Sequence, residues 1–347
     1  MSSALRYVTQ ATAKRGFAVA ASCQETVVNA EAPTSSILVS ALHTYPVKSC
    51  AGLSLTQSRV TVRGLELDRI FMLIDDDDDF VSQRKVPELA LVVPAIDADA
   101  LTLTAPGMEA IRVPLDSTPG DDRSVVATVH ARAVAGQLVG DELDEWFTTF
   151  LPPYRNHRRF RLLRVRDDIP GYINERYHRD GASNQVGFAD GNSLLLATEP
   201  SLADLNELLD EPVPMNRFRP NIVVDGPFLA AYEEDHWLEL RIGSLRAFVV
   251  KACDRCSIPD TNQETGAVGK AVRRALVTRK GVNTHDGSNG GVFFAQNLNH
   301  VHDPHAIVAL GDAVEVLARS VAPNVKLEAR RTPGRIPPPP QPVGERV

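Results

Sequence analysis

From Phe218 to Leu317 the apolar residues come in short runs: Asn221–Val224, Trp237–Ile242, Leu245–Ala252, Val292–Ala295 and Ala313–Leu317. Turn residues separate them, and all are too short for a buried helix of about 10–12 residues. Such a series folds as strands, and strands of this length close into a small barrel or stack as a sandwich. The first half reads in the same way. Ordered structure is expected from Ser36, where SILVSALHTYPV alternates apolar and polar residues. Ile70–Ile74 and Phe80–Arg84 flank Asp75–Asp79 as a hairpin with an acidic, solvated turn. That turn is not a calcium loop: counting from Asp75, the positions that need Gly and Glu hold Phe80 and Val86. Leu91–Val129 supplies further short strands.

Two stretches have helical spacing. In Gly140–Leu151, Leu143, Trp146, Phe147 and Phe150 share a face; in Thr198–Leu209, Leu202, Leu205, Leu208 and Leu209 form a stripe behind N-cap oxygens on Thr198 and Ser201. Arg155–Arg166 reads as an arginine-dense strand, either a charged sheet face or a docking patch. The simplest partition is residues 1–35 as a targeting or disordered segment, 36–175 as a first domain, 176–320 as a second, and 321–347, with PGRIPPPPQP, as a proline-rich tail.

A formal charge of -7 argues against a broad nucleic-acid footprint. Four cysteines in 347 residues are too few for a disulfide scaffold, and no apolar run reaches the roughly 18–20 residues of a membrane-spanning helix. Residues 1–24 carry Arg6, Lys14 and Arg15 with no acidic residue, which resembles a mitochondrial presequence. A disordered start of a cytoplasmic protein is the alternative.

The chain has no GxxxxGK[ST] loop, no HExxH and no GxSxG, and Gly287–Gly291 lacks dinucleotide-site spacing. His300, His302 and His305 read as a polar loop around Pro304 before they read as metal ligands. Ala252-Cys253-Asp254-Arg255-Cys256 follows an apolar strand and admits three readings. A zinc site lacks its second Cys or His pair. A thioredoxin-like pair should open a helix, yet Pro259 follows. The third reading is a single thiolate on a soft or high-valent metal with Arg255 beside it, Cys253 being a small buried group. Donors for a phosphate-bearing cofactor stand at Lys48-Ser49, Arg69 and Arg219.

Seven segments in order carry a resemblance: YPVKSCAGL (45–53), GLELDRIFML (64–73), VSQRKVPELALV (81–92), GFADGNSLLLATEPSLADLN (187–206), RFRPNIVV (217–224), ACDRCSIPDTNQETG (252–266) and LGDAVEVL (310–317). Together they resemble the MOSC family, named for the C-terminal domain of molybdenum-cofactor sulfurase, in its amidoxime-reducing branch. The resemblance implies an α+β, β-rich fold: an N-terminal MOSC-associated β domain, then a MOSC β-barrel with flanking helices. It implies molybdenum cofactor (Mo-molybdopterin) in a cleft, with Cys256 as metal ligand and catalytic residue. Lys48, Ser49, Arg69, Arg219 and Asn221 would contact pterin and phosphate, while Gly191, Asn192, Ser193 and Arg255 would approach the cofactor. The implied reaction is two-electron oxygen removal from small N-hydroxylated substrates such as amidoximes, hydroxylamines or nitrite. Having no ferredoxin-like cysteine set, the chain would draw electrons from cytochrome b5 and NADH-cytochrome b5 reductase, docking at Arg155–Arg166. Carrying the cofactor for other enzymes, or sulfur transfer through a persulfide, are the rival roles.

Overall fold

The computed structural model describes residues 36–323 except 98, 116–122, 131, 282–290 and 322. The targeting-like segment, Cys23, most of Gly287–Gly291 and nearly all of the proline-rich tail lie outside the described residues.

Seven strands close a barrel. Ile37–Thr44 bonds to Ile222–Asp225 on one side and to Ala313–Arg319 on the other. Between them, in order, lie Leu194–Thr198, Phe293–His300, Leu245–Asp254 and Trp237–Ile242. Neighbours are antiparallel except Leu194–Thr198 and Ile222–Asp225, which run parallel. A parallel pair needs a crossover, and the helix Glu199–Asn206 lies within it. Alternate residues turn inward: Leu240 and Ile242, then Leu245, Ala247 and Val249, meet Leu42, Leu196, Ile222, Val224 and Leu298 around Trp237. Each fully buried large apolar side chain contributes about 1.5–3 kcal/mol.

The remaining strands form smaller sheets. Phe71–Ile74, Arg161–Val165, Arg132–Leu138 and Ser124–Val129 make a four-stranded sheet, and Val93–Ile96, Ala100–Thr104 and Ile111–Pro114 make a meander. The helix Asp141–Phe150 lays Leu143, Trp146 and Phe147 on their shared core. The fold is therefore β-rich around a closed barrel. That barrel takes its first strand from residues 37–44 and the other six from 194–319, so it crosses the partition placed at 175/176.

The structure differs from the sequence expectations in four places. The hairpin closes through Val81 N to Leu73 O at 2.8 Å, but Phe80–Arg84 turns away instead of forming a second arm. Its partner's place is taken by Arg161–Val165. The acidic turn is not simply solvated: Asp75 is 1% exposed, and its carboxylate accepts the backbone N–H groups of Asp77 and Asp79 at 3.2 and 3.1 Å. Only Arg161–Val165 of the arginine-rich stretch is strand. Finally, the strand Leu194–Thr198 and the helix Ala271–Lys280 were not anticipated. His300 sits on the barrel wall, donating from Nε2 to Thr61 O at 2.7 Å, while His302 and His305 are exposed. Burial pulls the His300 pKa down to about 4, and the described residues contain no cluster of three metal-ligating side chains.

Barrel closure gives a direct test. A fragment of residues 176–320 lacks Ile37–Thr44 and leaves two strand edges open, so it is expected to show no cooperative thermal transition by circular dichroism, whereas residues 36–321 melt in one step. A cooperative melt of the shorter fragment would show that the first strand is dispensable.

Candidate cofactor site

One cleft gathers Lys48, Ser49, Arg69, Asp190, Gly191, Asn192, Arg219, Asn221, Cys253, Arg255 and Cys256, with Phe80, Ser82, Arg84 and Asn297 among its other walls. The backbone explains the convergence. Tyr45–Lys48, leaving the first barrel strand, runs beside Arg69–Phe71. Arg69 N donates to Tyr45 O and Phe71 N to Pro46 O, both at 2.9 Å, and Lys48 N donates to Phe71 O at 2.8 Å. Arg69 O in turn accepts from Phe188 N at 2.9 Å. Gly187 permits this approach, since a Cβ there would stand 2.9 Å from Arg69 O. The residues of three distant segments are thus tied into one wall.

Three of the lining residues hold left-handed backbone: Ser49 at φ 70°, Arg69 at 49° and Arg219 at 55°. Each costs about 1 kcal/mol or more in a non-glycine residue, and such strain collects where side chains must be aimed. Arg69 and Arg219 both bring their guanidinium to the Tyr45 ring, 4.4 and 4.3 Å from its centroid. Tyr45 donates its hydroxyl to Pro220 O at 3.1 Å, and burial pushes its pKa up to about 12.

The electrostatics are unbalanced. Lys48, Arg69, Arg84, Arg219 and Arg255 line the cleft against Asp190 and Asp254. Lys48 is buried and donates to Phe188 O at 2.8 Å and to the Asp190 carboxylate. Burial pulls the Lys48 pKa down, against the raising pull of Asp190; Arg69 and Arg132 depress it further. Desolvation opposes charge on Asp190, yet Lys48 and His130 hold its carboxyl well below the usual range. Arg219 is 8% exposed, and burial lowers its pKa to about 10. Its Nη1 reaches Gln263 Oε1 at 3.5 Å, while its Nη2 is buried without a partner. Arg255 donates from Nη2 to Phe218 O at 2.9 Å and from Nη1 to Cys253 Sγ at 3.1 Å; its Nε is also buried and unpartnered. Buried donors without acceptors are costly, so a cleft that retains them is shaped for an anion.

Nine of the ten residues singled out from the sequence line this cleft. The exception is Ser193, whose hydroxyl is spent on Leu298 O at 3.2 Å and on His300 Nδ1 at 3.0 Å. Asn221 lines the cleft but its amide is committed to protein. Its Oδ1 accepts from Arg69 Nη1 at 3.2 Å and Leu195 N at 3.1 Å, and its Nδ2 donates to His43 O at 3.2 Å. Arg69 is likewise committed, to Asp68, Asn221 and Arg219 O. Cys253 is half-buried in the wall against Arg255, not a buried apolar filler. Cys256 is half-buried, with no hydrogen-bond partner among the described residues. Sequence reasoning passed over Tyr45, Asp190, Gln83 and Gln263, although each lies inside a quoted motif. Gln83 donates to Ser49 O at 2.7 Å and exchanges amide hydrogen bonds with Gln263 at 3.0 Å, bracing the wall from behind.

Comparison with known proteins matches residues 36–153 to the MOSC N-terminal beta barrel domain and residues 183–315 to the MOSC domain. Mitochondrial amidoxime reducing component 2 of Bos taurus is 34% identical over 268 residues, 75% of this chain and 76% of that protein. Mitochondrial amidoxime-reducing component 1 of Homo sapiens is 31% identical over 290 residues, 81% and 83% of the two chains. Among solved structures, YiiM from Geobacillus stearothermophilus is 14% identical with a TM-score of 0.27, over 57% of this chain and 73% of that one. That overlap is too loose to carry an argument.

Asn221 joins the first barrel strand, the strand after the cleft loop and the cleft arginine. Asn221→Ala leaves Leu195 N and His43 O without their side-chain partners. Stability should fall by about 1–3 kcal/mol, read as a lower denaturant midpoint at unchanged slope. An unchanged midpoint would remove Asn221 from the scaffold role.

Proposed function

Because this chain belongs to the MOSC-domain family, we propose that it is a molybdenum-cofactor-dependent reductase that removes oxygen from small N-hydroxylated substrates. The observation carrying this reading is the cationic cleft, in which the buried Arg219 Nη2 and Arg255 Nε lack partners and the half-buried Cys256 forms part of the wall. The donor set fits a phosphate-bearing group with a thiolate-ligated metal. Arg219, Lys48 and the Ser49 hydroxyl are the donors for the phosphate. Arg69 and Asn221 serve differently: with their polar groups spent on protein, they hold Arg219 and the cleft wall in place. Gly191 has open space where a Cβ would stand, leaving room for a flat ring system, and the buried Asn192 Oδ1 is an unpaired acceptor for its N–H groups. Cys256 supplies the sulfur ligand.

When bound, the molybdenum cofactor supplies the two-electron exchange that breaks an N–O bond. The chain's own residues bind and orient, with Asp190 held ionised between Lys48 and His130 at 3.3 Å from the imidazole Nε2. Electrons come from cytochrome b5 and its NADH-dependent reductase. The relatives' names place them in mitochondria, and the basic amino-terminal segment supports the same location here.

Two measurements decide between this reading and its rivals. Purified protein should contain molybdenum and support NADH-dependent reduction of benzamidoxime with added cytochrome b5 and reductase. Molybdenum without turnover would indicate a cofactor carrier, and labile sulfur without molybdenum would indicate sulfur transfer. Cys256→Ala should abolish activity in a protein that remains folded, while Cys253→Ala should retain turnover; equal loss in both would favour a redox pair.

Replacing Lys48 or Arg219 by Ala should lower cofactor affinity roughly 10- to 100-fold, the worth of one charged hydrogen bond. Cofactor content after dialysis reads this directly, and wild-type occupancy in either variant would remove that residue from phosphate binding.

A further inference from the structure

The helix Ala271–Lys280 carries Arg273, Arg274, Arg279 and Lys280 and no acidic residue, and Lys270 is its N-cap. Its two ends differ. At the carboxyl end Arg279 pairs with Asp204 at 2.7 Å and Glu207 at 3.5 Å, and Lys280 pairs with Asp235. At the amino end Lys270, Arg273 and Arg274 are exposed, and among the described residues none of them has a carboxylate within ion-pair distance. The nearby carboxylates are Asp260, which is buried and accepts Arg273 N at 3.2 Å, and Glu264, which acts with Asp260 on Arg217.

Cations at a helix amino terminus oppose the macrodipole, costing about 0.3–1 kcal/mol each. Neither capping nor packing accounts for three of them there: Lys270 makes no side-chain cap, and the buried face is Val272, Ala275 and Leu276. The arrangement lowers helix stability and creates a local positive surface on a chain of net charge -7. That surface adjoins the cleft. Ile258 lines the cleft and begins the turn Ile258–Asp260, whose last residue caps the helix. Cys256 stands four residues before Asp260, at most about 14 Å of chain. Val268 and Val277, 56% and 39% exposed, add apolar area beside the charges.

In the stretch Arg155–Arg166, by contrast, four of the six arginines have carboxylates within ion-pair distance. Arg161 pairs with Asp78 at 2.6 Å, Arg164 with Asp167 at 3.3 Å, and Arg166 with Asp168 at 2.6 Å. Arg159 lies 3.7 Å from both Asp141 and Asp144.

We propose that Lys270, Arg273 and Arg274 form the docking surface for an acidic redox protein that presents carboxylates around its own redox centre. This rests on the reductase reading and names where its electrons enter. An acidic partner is repelled by the net charge of -7 on this chain and steered to this uncompensated basic end, close to the thiol.

The test is binding, which needs no turnover and so remains readable if the reductase reading fails. The soluble haem domain of cytochrome b5 is titrated onto the full chain by surface plasmon resonance at several salt concentrations. Arg273→Glu/Arg274→Glu should weaken binding roughly tenfold and flatten its salt dependence. Arg158→Glu/Arg159→Glu should leave it unchanged. Circular dichroism melts check folding, and Arg273→Gln/Arg274→Gln replaces the reversal if it misfolds, with a smaller weakening expected. Unchanged affinity in a folded helix variant overturns the proposal. So does equal weakening in the Arg158/Arg159 variant, or binding of phosphatidylserine vesicles through these residues with no binding of the haem domain.

Discussion

Like charges drawn out of water must be compensated, and the cleft meets that demand only in part. Lys48, Arg69, Arg219 and Arg255 are wholly or largely buried within one wall system. Asp68 compensates Arg69 and Asp190 compensates Lys48, while Arg219 has a tyrosine ring and an amide. A protein tolerates such an arrangement when its fold over-determines it. Here the left-handed turns at Ser49, Arg69 and Arg219, the close approach at Gly187, and the glutamine pair behind Ser49 all fix the donors before any anion arrives. Preorganisation of this kind removes the ordering cost from the binding step.

Division of labour among the cationic residues follows from their partners. Arg69 and Asn221 have the residue types of ligand contacts, yet their hydrogen bonds run inward to backbone carbonyls and to each other. Arg219 and Arg255 keep nitrogen atoms unspent. Position in a motif and role in a site are therefore separate properties, and only the partner atoms distinguish them.

The sequence made the site's chemistry legible because the chemistry sits where strands end: Lys48 after the first strand, Arg219 before Ile222–Asp225, Cys256 after Leu245–Asp254. It could not tell that Ser193 faces the barrel while Asn192 faces the cleft, because neighbours in an extended chain alternate sides and the register was unknown. The helix Ala271–Lys280 was hidden for a different reason. It buries only three modest apolar residues, has no side-chain cap, and carries Arg273 and Arg274 near the end where helix signals predict the opposite sign. Leu194–Thr198 escaped because its continuous apolar run leads directly into the next helix. In the Arg155–Arg166 stretch composition counts charges without their counterions, which the acidic turn and neighbouring aspartates supply to Arg159, Arg161, Arg164 and Arg166.

The barrel's first strand bonds to its last, and nearly the whole chain lies between Ile37–Thr44 and Ala313–Arg319. Contacts that distant are slow to form, since a long loop must close before any of their energy is gained. During synthesis the first strand emerges early and has neither barrel neighbour until Ile222–Asp225 follows, and the ring stays open until Ala313–Arg319 leaves the ribosome. The central element thus cannot be native until its last strand has been made. The nascent chain must keep an apolar edge strand from pairing with other chains for most of that time, which makes chaperone attention during biogenesis a consequence of topology rather than of low stability.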